Sequence, residues 1–187
     1  MFEWSDEQKM IRDAVRQFVE KEIAPNVEEL EFGDTPPYAV LRKLFATFGM
    51  DAMAGAGFDR RIAKEEAGEA PKPLMADDEE ESAGSGGGGA GMMMLPIIEI
   101  SRYCPGMITA MGVSVGLTGS AIMSKGTLAQ KKRWGRELLT LEKIGAWAIT
   151  EPGSGSDAFG SMRSTAKRDG DEYVLSGSKT FITNGPY

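Results

Sequence analysis

Histidine is absent from these 187 residues, and cysteine occurs once, at Cys104. Without histidine there are no Ser-His or Cys-His nucleophile pairs, no His-ligated zinc and no His general base. Any proton transfer would fall to a carboxylate, Lys or Tyr, or to a group on a cofactor or another polypeptide. A single thiol rules out an intrachain disulfide and gives no sign of an oxidising compartment. Cations are scarce relative to anions, 21 Lys and Arg against 28 Asp and Glu for a net charge of -7. That balance argues against a nucleic-acid-binding surface, because neutralising phosphates needs clustered Lys and Arg. No uninterrupted apolar run reaches roughly 18 residues, and the first residues, Met1-Phe2-Glu3-Trp4-Ser5-Asp6-Glu7, are acidic. The expectation is no membrane span, no signal peptide and a cytoplasmic protein. What the chain does have is 41% apolar residues, enough to bury a core.

The first half reads as helix. Ser5 followed three residues later by Gln8 is a capping-box pattern, and Ile11, Ala14, Val15, Phe18, Val19 and Ile23 recur on one face up to Pro25. After an acidic loop over 28–34, Thr35 before Pro36 predicts the N-cap of a second packing helix that buries Val40, Leu41, Leu44, Phe45 and Phe48. The composition then changes. Residues 60–69 are charged and compatible with helix, 77–81 are all acidic, and 82–91 are mostly glycine. A segment of this kind buries too little apolar surface to offset its ordering entropy, so 54–91 is expected to be a flexible insertion. Its glycines have neither a preceding strand nor a Lys-Ser/Thr ending, which excludes a P-loop.

Residues 92–102 regain apolar character, and 108–125 are nearly all small or apolar, the pattern of a buried helix in which Gly112, Gly116 and Gly119 allow close packing. Thr127 to Gln130 is a second capping box. It opens a helix with Lys131, Lys132, Arg133 and Arg136 on one side, expected to be a solvated basic face.

From Ala146 the periodicity becomes that of strands. An apolar strand over 146–150 runs into Glu151-Pro152-Gly153-Ser154-Gly155-Ser156-Asp157. Strand-like runs follow over 163–168, 172–176 and 179–183, so at least four strands are expected. A glycine-and-hydroxyl loop between apolar strands suits a polar, phosphate-bearing ligand. Gly153-x-Gly155-x-x-Ala158 could also be read as a dinucleotide fingerprint with Glu172 at the ribose position. That reading fails because hairpin-connected strands follow it, not a βαβ unit.

Four motifs in order carry a resemblance. They are Trp4-Ser5-Asp6-Glu7-Gln8 with its helix to Ile23-Ala24-Pro25, Lys125-Gly126-Thr127-Leu128-Ala129-Gln130-Lys131, Thr150-Glu151-Pro152-Gly153-Ser154-Gly155-Ser156-Asp157, and Gly177-Ser178-Lys179-Thr180-Phe181-Ile182-Thr183-Asn184-Gly185. Together they resemble the acyl-CoA dehydrogenase family over most of 1–50 and 95–187. The acidic, glycine-rich segment between those ranges departs from the family pattern.

The resemblance implies an α+β fold. A helical N-terminal domain over 1–145 would be followed, over 146–187, by the start of an antiparallel β-barrel-like middle domain, and the family's C-terminal helical bundle lies outside the chain. It also implies FAD. Trp147, Ile149, Thr150, Gly155 and Ser156 would line the flavin, with Thr150 at the polar edge of the pyrimidine ring and Ser156 near both the pyrophosphate and the acyl-CoA. Phe181, Ile182 and Thr183 would complete the site, with Phe181 against the ring and Thr183 near N5. Hydroxyls and amide N–H groups suit the negative charge of a reduced flavin, and an aromatic face shields it from water.

In the family a carboxylate removes the proton α to the thioester while the β hydride leaves for the flavin, giving a trans-2-enoyl-CoA. Glu151 matches a position that is not the base, so no catalytic residue is assigned within the chain and the base is expected beyond Tyr187. Further implications are an acyl-CoA substrate, electron-transfer flavoprotein as acceptor, and a homo-oligomer. Two alternatives are a non-catalytic flavin- or partner-binding module and an acyl-CoA oxidase-like relative. No metal site is expected.

Overall fold

The computed structural model describes residues 4–69 and 88–187. Helix α1, Asp6–Phe18, starts at the expected capping box: the Gln8 amide donates to Ser5 Oγ at 3.2 Å and the Ser5 amide to Gln8 Oε1 at 2.9 Å. Pro25 does not end the helical path. A π turn over Val19–Ile23 passes into a 3-10 turn, Ala24–Asn26, where proline in the first turn loses no needed hydrogen bond, and α2 follows over Val27–Phe32. Most of the expected acidic loop is therefore helix. Helix α3, Tyr38–Thr47, begins after Pro37, not at Thr35, whose amide and hydroxyl both donate to the Glu29 carboxylate.

Gly49 adopts a left-handed φ of 67° and turns the chain directly into α4, Met50–Glu66. This corrects the expected start of the flexible insertion at 54, because Phe58 and Ile62 supply a buried face there. At the other end of the insertion, Gly88–Gly91 open α5, Gly88–Ser101. The acidic run over 77–81 lies outside the described residues.

Helix α5 packs on α1, and α6, Pro105–Lys125, follows it, with a π-helical stretch over Gly112–Gly119. Helix α7 covers 128–139 and opens at the second capping box, with the Gln130 amide donating to Thr127 Oγ1 at 3.3 Å.

Val15, Val19, Ile23, Leu41, Leu44, Ile100, Met107 and Leu141 form the main core, all 1% exposed or less. Cys104 belongs to it. Burial, and then the Glu31 carboxylate beside it, push its thiol up to about 11. A second cluster joins Phe58 and Ile62 of α4 to Met123 of α6 and Leu139 of α7. Here Gly135 permits the contact, since a Cβ at that position would lie 2.7 Å from the Phe58 ring and 2.8 Å from Met123 Sδ.

Three of the basic residues of α7 form ion pairs, and Lys131, Lys132 and Arg136 each reach a carboxylate of α4. Lys131, 3% exposed, donates to both Glu65 carboxylate oxygens, Lys132 pairs with Glu66, and Arg136 pairs with Asp59 and Glu142. The expected solvated face holds for Lys132, Arg133 and Arg136, which are exposed, but not for Lys131, which is buried in the α4–α7 contact. Between α1 and α5, Glu99 is 1% exposed, and the Arg16 guanidinium, with Arg102 also beside it, holds its carboxyl below the usual range.

Helix α6 is not buried all round, as its composition suggested. It is long and apolar enough to cross a membrane by length and composition, with mean hydropathy 1.4, yet only 28% of its apolar window is buried. Of its three expected packing glycines, Gly119 meets Leu139, whereas Gly112 and Gly116 face open space.

After residue 145 the chain forms a short helix α8, Ala158–Ser161, and one antiparallel hairpin of β1, Thr165–Asp169, with β2, Glu172–Ser176. Lys167 faces Val174, and Gly170 turns the hairpin with φ 60°. The fold is α+β, helical with a small antiparallel sheet. Two strands form among the described residues, fewer than the four expected. Segments 146–150 and 179–183 are strand-like in composition but have no ladder partner, and a strand exists only through its neighbour's hydrogen bonds.

Candidate functional site

The two unladdered segments lie side by side. The Thr180 amide donates to Thr150 O at 3.0 Å, and Lys179 Nζ donates to Ile149 O at 2.8 Å. Residues 146–150 and 180–183 therefore form two adjacent strips.

Glu151 joins them to the hairpin. Its Oε1 accepts from Lys179 Nζ and the Ser164 amide, each at 2.9 Å, and its Oε2 accepts from the Arg163 amide at 2.8 Å. The Ser164 hydroxyl beside it, the Arg163 amide and Lys179 hold the carboxyl down at about 2. A carboxylate so engaged is a weak proton acceptor at neutral pH. Glu151 is an anchor, and this geometry gives a physical reason for not reading it as a base.

The loop after it is tied inward at one point. Ser154 and Glu151 exchange both backbone bonds at 3.0 Å, and Ser154 Oγ donates to Asp157 O at 2.8 Å. Gly155 and Ser156 remain exposed, and a Cβ at Gly153 or Gly155 would meet nothing within 4 Å. Backbone N–H groups in such an open loop can approach an anion closely.

The sequence-predicted site residues fall on these two strips and on the loop after Glu151. Trp147, Ile149 and Thr150 lie on the first strip, with Trp147 39% exposed. Phe181, Ile182 and Thr183 lie on the second. Phe181 is 92% exposed and has φ 55°, a left-handed conformation that is costly for a bulky residue. Gly155 and Ser156 sit on the neighbouring loop. The hydroxyls of Thr150, Ser156 and Thr183 make no hydrogen bond to another described residue. A surface with uncommitted hydroxyls, an open glycine loop and an outward aromatic ring suits a planar, polar, phosphate-bearing group.

Sequence reasoning passed over the residues behind these strips. Asn184, which the sequence shows only as a member of the last motif, is 7% exposed and has φ 66°. The Tyr38 hydroxyl donates to Asn184 Oδ1 at 2.7 Å, and Asn184 Nδ2 donates to Ala110 O at 2.9 Å and Gly145 O at 2.8 Å. The Gly145 amide in turn donates to Ser114 Oγ at 2.9 Å. The only signal for this cluster in the sequence was a lone Asn before Gly185, which elsewhere marks an ordinary turn.

Comparison with known proteins adds ancestry to this geometry. Residues 5–75 and 58–142 match the family model for the acyl-CoA dehydrogenase N-terminal domain, and 146–187 match the model for the middle domain. An acyl-CoA dehydrogenase of Bacillus subtilis is 34% identical over 97% of this chain and 41% of its own length. The butyryl-CoA dehydrogenase structure from Megasphaera elsdenii superposes with a TM-score of 0.63 at 28% identity, covering 100% of this chain and 43% of that one. The structure of a Bacillus anthracis acyl-CoA dehydrogenase complexed with FAD superposes at 0.62 and 30% identity, covering 99% of this chain and 28% of that one. The chain thus spans about two fifths of the length of the curated relatives it matches, 41% and 42% for the first two.

Proposed function

This chain belongs to the acyl-CoA dehydrogenase family, and from that premise we propose that it supplies the flavin-facing part of an enzyme that dehydrogenates an acyl-CoA thioester to a trans-2-enoyl-CoA. The observation that carries this reading is the pair of strips at 146–150 and 180–183, which present Thr150, Thr183 and the exposed Phe181 ring beside the open loop at Ser156. FAD is the cofactor these residues fit. When bound, it supplies the acceptor for the hydride.

The rest of the proposal concerns what this chain's own residues do. Trp147, Ile149 and Thr150 hold one side of the flavin, and Thr183 donates a hydrogen bond from the other. Gly155 and Ser156 meet the pyrophosphate through backbone and hydroxyl, with Ser156 also reaching the acyl-CoA. Phe181 and Ile182 exclude water, which strengthens every electrostatic interaction on the covered surface. Proton removal is assigned to a carboxylate other than Glu151, which is held by its own donors. Electron-transfer flavoprotein as acceptor and a homo-oligomeric state are the family's expectations and belong to the same proposal.

An absorption spectrum of the purified intact protein tests it. A flavin band that bleaches anaerobically on adding an acyl-CoA is the expected result, and Thr183→Ala should weaken flavin retention. A protein with no flavin band, and no FAD uptake on titration, would sink the reading.

A further inference from the structure

Resting on the reading of 146–150 and 180–183 as a flavin wall, we infer that Asn184 is the positioning residue that sets both strips against the helical layer. The bonds from Thr180 to Thr150 and from Lys179 to Ile149 hold the strips to each other. Asn184 and Ser114 hold the pair to the helices.

The topology makes one side chain serve both strips. Asn184 follows Thr183, the end of the second strip, and its Nδ2 donates to the carbonyl of Gly145, the residue that precedes the first. Its other Nδ2 hydrogen goes to Ala110 O in α6, and its Oδ1 accepts from Tyr38 in α3. Ser114, also on α6, completes the hold on Gly145 by accepting from its amide.

Only a carboxamide supplies two donors and an acceptor at this reach. A carboxylate has the same outline but would present an acceptor to two carbonyls. The left-handed backbone at Asn184 is one that Asn and Gly tolerate and most residues do not. Side chain and backbone thus specify the same residue. Tyr187 stacks edge-on against Tyr38 at 5.1 Å, and its amide donates to Asn184 O, so the chain on the far side of Asn184 is held to the same anchor.

The test uses the intact protein with Asn184→Asp, which keeps the shape but removes the donors, and Asn184→Gly, which keeps the backbone conformation but removes the amide. Two readouts are compared: FAD affinity, and hydrogen exchange at the Thr180 amide against amides of α3 such as Leu44. Each buried carbonyl left without its donor is expected to weaken a coupled equilibrium roughly tenfold. Asn184→Asp should therefore raise the FAD dissociation constant at least about tenfold, with Tyr38→Phe smaller and in the same direction. Exchange at Thr180 should accelerate while α3 stays protected.

Unchanged FAD affinity and unchanged Thr180 exchange in both Asn184 variants would overturn the inference. So would acceleration shared equally by α3, the mark of a merely structural role. If Asn184→Asp does not fold, Asn184→Gly and Tyr38→Phe carry the same comparison. If the wild type binds no flavin, the functional reading falls, and the exchange data still decide whether Asn184 positions the strips.

Discussion

In the helical region apolar side chains face one another. Val15 of α1, Leu41 and Leu44 of α3, Ile100 of α5 and Met107 of α6 are each 1% exposed or less. In the hairpin β1–β2 every residue is exposed, including Tyr173 at 66% and Leu175 at 77%. The first region is held by burial of apolar area. The hairpin and the segments around it, 146–164 and 177–187, are held by hydrogen bonds and an ion pair, with Glu151, Lys179 and Asn184 each satisfying several partners at once. Burial scales with area and tolerates imprecise geometry, whereas a network of this kind depends on each member. The comparison therefore predicts different responses to the same style of perturbation.

The largest effect is expected from Leu41→Ala, which leaves a cavity where the side chain is fully buried. Denaturant unfolding followed by far-UV circular dichroism should show a loss of about 2–5 kcal/mol. A loss well below that range would break the contrast, because it would mean the helical core is looser than its burial indicates.

Glu151→Gln should act through pH. A carboxyl held at about 2 when folded, against an ordinary value of 4.5, contributes fully above about 4.5, and the contribution is lost as pH falls through about 2. The wild type should accordingly lose stability steadily across that window. The Gln variant should start less stable at neutral pH, show a flatter acid profile, and meet the wild-type curve near pH 2. Parallel acid-unfolding curves would remove Glu151 as the anchor of residues 163–164 and 179.

The smallest effect belongs to Leu175→Ser on the exposed hairpin, within about 0.5 kcal/mol by thermal melt. A larger loss would show that the hairpin is covered by a partner in solution, and would sharpen the comparison by giving the second region a buried face of its own.

How much of this was legible in the sequence follows the same division. Ser5 with Gln8 and Thr127 with Gln130 announced their helices because a capping box is local, and Val15, Phe18, Leu41, Leu44 and Phe45 followed from spacing, although Ala14, read on the same face of α1, is exposed. Thr35 misled because a Ser/Thr-Pro pair looks like a cap, while Glu29, six residues back, offered a better partner. The 179–183 segment has the β-branched and aromatic content of a strand, but strand formation depends on a neighbour that the pattern does not reveal.

At the candidate site the motifs picked out the two segments that the Thr180–Thr150 and Lys179–Ile149 bonds hold together. Asn184, Tyr38 and Gly145 stayed hidden because they meet only across as many as 146 residues of sequence. Lys131 was read as a solvent-facing cation for the same reason: its partner, Glu65, is 66 residues away.

Cys104 gives the molecule a built-in chemical clock. With its thiol pushed up to about 11, chiefly by burial, it stays protonated at pH 7. At 2% exposure it is also closed to reagents in the folded state. A cysteine introduced at an exposed position such as Ser156 would therefore take a maleimide label first and alone. Any later labelling of Cys104 would count the openings of the helical core, so one alkylation time course would track the exposed loop and the fold behind it separately.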